Sequence, residues 1–520
     1  MKISISLIAL VLFTKSFAQN FSFSEQLHWG SSSNDMFNDA LKIDDGYLVT
    51  ASANGNDQSV SGSFYGYSDF WIFRLDINHN ILFNKTFGGN GIDVPKKILK
   101  LSNGNFLIIG QSTSAISGNK QSPSFGNFDV WIICIDENGN KLWEKNYGTN
   151  ANDYFASCIE ISPNKSLIII SSEGGVSGNK TIPSKGMYDA WLIEIDNQGL
   201  ILNQKVIGGS GDDYFLDLNR LNNNHLLLQS YSTSGISGDR VSQNYGNEDA
   251  WIVEIDTNYN ILNQFVYGGD GFDELLLIEE TANSYLFGGI SGSTISGNKI
   301  SPKRCSIYDG ILLKTTKTYD IEIEKSFGHS SGSYYMILQQ INLSNNQKIL
   351  CGQVSGGVSS FNDRPTHGSQ DIWLMQVDDS LNQTWNYSFG GALVDGFVKG
   401  FASQNDEIEI FGYYNSPASY DLSVSSFGYQ DILYVKLSSD LSILESQLAV
   451  GVYPNPSRGI FHLTSATTIS EYKVFSIDGR LQASGTALAG SLDLQHLPAG
   501  TYIANFVSGK TSSSVKLVIE

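Results

Sequence analysis

Seven times, at intervals of 60, 60, 60, 60, 62 and 60 residues, this 520-residue chain returns to an aspartate that opens an apolar run. The seven positions are Asp69, Asp129, Asp189, Asp249, Asp309, Asp371 and Asp431. In five of them a tryptophan follows two places on: Trp71, Trp131, Trp191, Trp251 and Trp373. A period this regular restricts the chain to a repeat architecture, in which each unit buries its apolar surface against the next.

The grammar of one unit is clearest from Phe87 to Gly148. A Gly-rich turn, "GGNGID", leads into a strand ending near Leu101, and "SNGN" turns it back into "FLIIG". A long polar segment, "QSTSAISGNKQSPSFGNF", precedes "VWIICID". "ENGN" is a second hairpin turn, followed by "KLWEKNY". Gly in both turns supplies positive φ without steric cost. The second and third strands are almost continuously apolar, as in sheets covered on both faces. Four short antiparallel strands at a fixed period describe a β-propeller blade, and seven blades fall within the usual four to eight. A solenoid coil is shorter, about 20 to 30 residues. We therefore expect an all-β chain with a seven-bladed propeller of four-stranded antiparallel blades over residues 19–449. Closure is expected from one chain end, since both "FSFSEQLHWG" (Phe21 to Gly30) and "LSILESQLA" (Leu441 to Ala449) have the fourth-strand pattern.

Such units resemble the bacterial propeller repeat called the SBBP repeat, with its Gly-Gly-x-Gly-x-Asp turn and Asp-x-Trp strand. The resemblance implies a fold and no particular activity. It also disposes of a motif. "GHSSG" around Ser330 spells the Gly-x-Ser-x-Gly of a hydrolase nucleophile elbow, which needs a strand-to-helix turn. Here it occupies the slot of "GGNGID" between two strands, so Ser330 is read as a turn residue.

The formal charge of −20 argues against nucleic acid as partner. "MKISISLIALVLFTKSFAQN" has a basic start, an apolar stretch and a small-x-small site at Ser16 to Ala18. It reads as a secretory signal peptide, residues 1–18. No later stretch is apolar enough for a membrane helix. Cys134, Cys158 and Cys351 sit inside apolar strands and are read, with Cys305, as buried thiols.

After Ala449 the pattern changes to short alternating strands, suited to a small Ig-like β-sandwich over 450–520. This segment resembles the C-terminal sorting domain of the type IX secretion system of Bacteroidetes. The carrying residues are Pro454, Asn455, Pro456 and Gly459 in "YPNPSRG", and Asp478 and Gly479 in "VFSIDGR". Leu497, Pro498, Gly500 and Tyr502 in "LPAGTYI" complete them. The resemblance implies passage across both membranes, engagement of the type IX machinery, and secretion or surface attachment.

Function must then lie with the propeller. Its long loops and Gly-rich turns share one face, the usual place for recognition on a repeat scaffold. "SGNK" or a variant recurs at Ser117 to Lys120, Ser177 to Lys180, Ser237 to Arg240 and Ser296 to Lys299. It is either a ring of ligand contacts or a loop-ordering device with its base in solvent. Asp35, Asp93, Asp153, Asp213, Asp273 and Asp395 in the Gly-rich turns either fix those turns or hold calcium, for which Asp93, Asp153, Asp213 and Asp273 are candidates. No catalytic residue and no resident cofactor is assigned. Departures from the repeat are the places to seek catalysis: Glu173, Asp39 and Asp217, with Lys97 and Ser157 as counterparts. The expectation is a monomeric, non-catalytic surface or secreted protein that binds glycan or protein through the loop face. The rival is a polysaccharide hydrolase or lyase using paired channel carboxylates.

Overall fold

The computed structural model describes residues 21–330, 332, 334–344, 347–356, 366–403, 405–439, 450–465, 469–476, 480–488, 490–508 and 511–520. Within them the repeat becomes seven four-stranded antiparallel sheets. Blades 1 to 6 span residues 36–87, 93–147, 153–207, 213–267, 273–327 and 334–389. In blade 2 the strands are Asp93–Lys100, Phe106–Ser112, Asp129–Ile135 and Lys141–Tyr147. Its third strand, DVWIICI, is buried throughout, which is why the sequence there does not alternate. Its fourth strand is partly exposed at its outer end.

The first strands touch one another in an unbroken circle and so form the inner wall. One backbone hydrogen bond recurs at every junction, from the start of a blade to the third-strand entry of the blade before. Asp93 N donates to Ser68 O at 2.8 Å, Asp153 N to Phe128 O at 2.7 Å, and Asp35 N to Gln430 O at 2.7 Å. The last of these joins blade 1 to blade 7 and closes the ring. Blade 7 consists of Asp395–Ala402, Ile408–Tyr414 and Asp431–Ser439, and takes Phe21–Trp29 as its fourth strand. The N-terminal candidate is thus the closing strand, and residues 441–449 lie outside the described residues. Between blades the core is aromatic and aliphatic: Trp71, Trp131, Trp191, Trp251 and Trp373 are essentially inaccessible. All four cysteines are free and buried. No helix among the described residues is long and apolar enough to cross a membrane.

Contacts divide the described chain into two compact units, Phe23–Leu437 and Ser438–Glu520, the latter with residues 21 and 22. In the second, a three-stranded sheet (Val450–Tyr453, Ile460–Ser465, Ser491–Asp493) and a four-stranded sheet (Ile469–Ser476, Leu481–Leu488, Gly500–Ser508, Thr511–Ile519) share one core. Phe461, Val474, Leu494, Ala504, Phe506 and Leu517 are its fully buried members. The motif residues are stitches in this unit. Asn455 donates to Lys516 O at 2.6 Å and accepts from Val518 N at 2.9 Å, fastening the Pro454–Pro456 segment to the last strand. Gly459 has φ of 100°, and a Cβ there would lie 2.7 Å from Gln495 Cα. The Tyr502 hydroxyl donates to Pro498 O at 2.8 Å, while Leu497 packs against the core and Gly500 opens a strand. Asp478 and Gly479 lie outside the described residues.

Candidate functional site

At six of the seven junctions two aspartates do structural work; the turn between blades 5 and 6 has no aspartate. The Asp of Asp-x-Trp accepts the backbone N–H four residues earlier in all seven blades. Examples are Tyr65 N to Asp69 at 2.7 Å, Phe125 N to Asp129 at 2.7 Å and His367 N to Asp371 at 2.9 Å. The turn aspartates do the same for the Gly-rich turn: Gly89 N to Asp93 at 2.8 Å, Thr149 N to Asp153 at 2.6 Å and Gly209 N to Asp213 at 2.6 Å. Asp273 accepts from Gly269 N at 3.0 Å and Asp395 from Gly391 N at 2.6 Å. Asp35 accepts from Ser31 N. Serines at the end of the second strand add bonds, such as Ser114 Oγ to Asp93 at 2.7 Å. These bonds explain why the two signatures travel together. A Cβ on Gly88 would lie 2.0 Å from Asp69 Oδ1, so the carboxylate of one blade demands glycine in the turn that opens the next.

Asp93, Asp153, Asp213 and Asp273 are accordingly held in separate junctions, each spent on its own turn. Among the described residues no three His, Cys, Asp or Glu side chains converge as metal ligands. The neighbouring positive charge in blades 2 to 5 is a buried base from the "SGNK" loop. This corrects the expectation of a solvated base: Lys120, Lys180, Arg240 and Lys299 are at most 2% exposed. Lys180 donates to Ser172 Oγ at 3.0 Å, Gly174 O at 2.9 Å and Ser184 Oγ at 2.7 Å. Its ammonium lies 5.8 Å from the Trp191 ring centroid, and Lys120 lies 5.5 Å from that of Trp131. A base escapes the sequence argument because Lys is almost never fully buried unless paired. Here the opposing charges are aspartates 26 or 27 residues behind and nine or ten ahead. Burial lowers Lys180 to about 8 even so, with Asp153 and Asp189 opposing it.

The rest of "SGNK" orders the loop, as one reading expected. Asn119 accepts from Gly88 N at 2.9 Å and donates to Thr86 O at 2.9 Å, and Ser117 Oγ accepts from Asn90 N at 2.8 Å. In blades 2 to 5 the long loop is therefore stapled to the turn joining its blade to the one before.

Inside the ring, a bulge interrupts the first strand of every blade. Bulges re-aim the side chain that follows. Asp39, Lys97, Ser157 and Asp217 all stand immediately after one, so the candidates Asp39 and Asp217 share a level of the channel with their counterparts Lys97 and Ser157. Lys97 Nζ donates to Ser157 Oγ at 2.7 Å and to Asp217 Oδ1 at 3.3 Å, and Ser157 Oγ donates to the same oxygen at 2.6 Å. A lysine and an aspartate two blades apart are thus tied through the serine between them. Burial raises Asp217, but Lys97 and Ser157 outweigh it and leave the carboxyl below its usual range. Burial likewise opposes the Lys97 charge, and Asp217 more than restores it. Asp39 accepts from Ile98 N at 2.9 Å, with Lys399 at 4.0 Å, and burial leaves it raised. Glu173 is elsewhere, on the loop face, where Asn152 donates to it at 2.9 Å and the Tyr188 hydroxyl at 3.1 Å. Ser330 is an exposed turn residue between Ile321–Phe327 and Tyr334–Asn342, with no helix after it.

Tyr188 belongs to a feature that the sequence reading missed. Half-buried aromatic rings follow one another across the loop face from blade 2 to blade 6. Centroids are 5.6 Å apart for Phe128–Tyr154, 6.0 Å for Tyr154–Tyr188, 4.5 Å for Tyr188–Tyr214 and 5.3 Å for Tyr214–Tyr231. The chain continues through Phe272 at 5.0 Å, Tyr308 at 5.7 Å and Tyr334 at 6.3 Å. Glu274 stands at the strand position that Tyr154, Tyr214 and Tyr334 occupy in their blades, and burial pushes it up to about 7. At the other end, Phe128 forms a wall of a groove of about 540 Å³ with Met36, Asn54, Val94, Lys96 and Gln111. The available signal was positional. These aromatics sit beside the repeated aspartates, as in Phe128-Asp129, Asp153-Tyr154, Tyr188-Asp189 and Asp213-Tyr214.

Residues 451–520 match the family model described as a secretion system C-terminal sorting domain. The chain is therefore cargo of type IX secretion, exported across both membranes and then secreted or attached to the cell surface. Among curated proteins no match is found. Solved structures similar to the chain include a protein of unknown function from Dyadobacter fermentans, at 11% identity and TM-score 0.42, covering 81% of this chain and 99% of that one. The Pan2 WD40 domain of Neurospora crassa matches at 10% identity and TM-score 0.40, covering 82% and 98%. A europium-containing methanol dehydrogenase matches at 8% identity and TM-score 0.43, covering 80% and 93%.

Proposed function

We propose that this exported propeller is a non-catalytic recognition protein whose ligand is held on the loop face. The observation that carries the reading is the combination of a rigid floor with an aromatic surface. Stapled loops and buried bases bonded to loop serines and carbonyls fix the loop face, so little conformational entropy is lost when a ligand binds. The half-buried rings that lie on this floor present flat apolar area beside polar groups, the composition of a recognition surface. Engagement of the type IX machinery belongs to residues 451–520 and is separate from this role.

The test is to block one face at a time. Because the native cysteines are buried, Gln121→Cys on a loop and Asn138→Cys on the opposite hairpin are each exposed sites for a maleimide polymer. Saturable binding on polysaccharide and peptide arrays is expected to disappear with the first label and persist with the second. Loss with the Asn138 label alone would overturn the assignment of the face. A hydrolase reading draws on the contrast between Asp39, raised, and Asp217, lowered, since acid and base roles need carboxyls pushed apart. Under it the bound polysaccharide is recovered shortened; under the leading reading its chain length is unchanged.

A further inference from the structure

We infer that the aromatic arc is the binding site of an extended, uncharged polysaccharide chain. This rests on the loop-face reading above and names its ligand.

Three observations converge on that chemistry. The first is the surface itself. Tyr154, Tyr188, Tyr214, Tyr231 and Tyr308 are neither core nor free, each half-buried and each in ring contact with the next or with Phe272. Flat rings with polar tips match a sugar, whose C–H face is apolar and whose rim is hydroxyl. The second is shape. The arc follows the entries of the first and third strands and, at Tyr231, the end of a second strand across five successive blades, so it bends around the central axis. An extended chain can track such a path, whereas a folded partner meets a curved line of rings at few points. The groove that begins at Phe128 continues the path past the end of the arc.

The third is charge. Glu173 bonds to the Tyr188 ring hydroxyl. Asp212 acts on Tyr214 and Tyr231, Glu248 on Tyr231, and Glu274 on Tyr231 and Tyr334. The Glu173, Asp212 and Glu248 carboxylates interleaved with the rings accept hydrogen bonds from sugar hydroxyls and repel sulfated, phosphorylated or uronic polymers, and Glu274 adds a further polar partner. The chain's net charge of −20 adds to that repulsion.

The experiment uses the full exported chain and titrates it calorimetrically with a soluble β-glucan, a xylan, a mannan and, as polyanion, polygalacturonate. Saturable binding of at least one neutral polymer is expected, with none to polygalacturonate. Tyr188→Ala and Tyr214→Ala are each expected to weaken it at least tenfold, and Tyr214→Phe to stay within about threefold. Should an alanine variant lose its cooperative melt, Tyr154→Leu and Tyr308→Leu keep apolar volume while removing the flat ring. Neutral-glycan binding that survives these substitutions would overturn the arc while leaving the loop face in play. Absence of any neutral-glycan binding, or preference for the polyanion, would overturn the ligand class. If peptide binding in the face-blocking experiment is then lost only with the Gln121 label, the loop-face reading stands and the ligand is a protein.

Discussion

Blades 2 to 5 and blades 1 and 7 solve the same problem in opposite ways. Each has a pair of buried aspartates on the loop face, fixed by the same backbone N–H bonds. In blades 2 to 5 the loop drops a buried base beside them; in blades 1 and 7 the same slot holds Val60 and Leu422. The carboxyls register the difference. Burial together with Asp93 pushes Asp69 up to about 7, and burial together with Asp35 does the same to Asp431. Asp249, in a blade with a base, is raised to about 6, and Asp129 and Asp189 are raised too, with Lys180 opposing the shift at Asp189. Opposite charge in a poorly solvated site works against the burial that raises a carboxyl, and an aliphatic side chain supplies no such opposition. Turn geometry is thus common to all blades, while charge balance is settled blade by blade.

The largest effect should come from removing the buried base where it exists. Lys180→Met keeps volume but removes the donor to Ser172, Gly174 and Ser184 and the charge opposing Asp153 and Asp189, and we expect a loss of about 3 kcal/mol in chemical denaturation. Val60→Ala at the equivalent slot removes only apolar contact and should cost about 1 to 2 kcal/mol. Equal losses would dissolve the contrast.

A pH series sharpens it next. A carboxyl whose folded pKa lies above its unfolded value of about 4 holds its proton more tightly in the native state. Asp69 and Asp431 therefore favour the folded chain at acid pH, and that advantage is lost as pH rises from about 4 to about 7. The melting temperature is expected to climb on going from pH 8 to pH 5. Asp69→Asn with Asp431→Asn, which keeps an oxygen for the Tyr65 and Phe427 amides, should flatten the climb and stabilise the chain by about 1 kcal/mol at pH 8. A slope unchanged by the pair would place the titration elsewhere.

A smaller effect belongs to the channel. Asp217→Asn leaves Lys97 without its counter-charge in a half-open position, so a loss of about 1 kcal/mol is expected from the melt. The smallest is at the opposite hairpins, where half-buried Asp136 accepts from Asn138 N at 2.9 Å and Asn140 N at 2.8 Å. Asp136→Ala should cost no more than about 0.5 kcal/mol.

How much of this was legible in advance follows the range of the forces. The 60-residue period, the glycine turns and the apolar strands are local, set by backbone conformation and strand burial. They suffice for seven blades, for the turn role of the aspartates, and for dismissing Ser330 as a nucleophile. The sorting domain was readable for a related reason: Asn455, Gly459 and Tyr502 bond or pack at fixed points of one small unit, so the fold fixes their types. Other features depend on which blade neighbours which. The fourth strand of blade 7 could be taken from either end by pattern, and only pairing with Asp431–Ser439 selects Phe21–Trp29. Lys97, Ser157 and Asp217 are 60 residues apart in turn, and nothing local says that their side chains meet. The base in "SGNK" looked like any surface lysine until Asp153, Asp189 and Trp191 surrounded Lys180. The aromatic arc is the extreme case: each ring is one unremarked residue beside an aspartate, and closure of the ring makes them a surface. Sequence determined the blade, because hydrogen bonding and burial within one repeat are short-range in the chain; tertiary structure decided the floor, the channel and the arc, because charge and ring contacts act across junctions that only a closed circle creates.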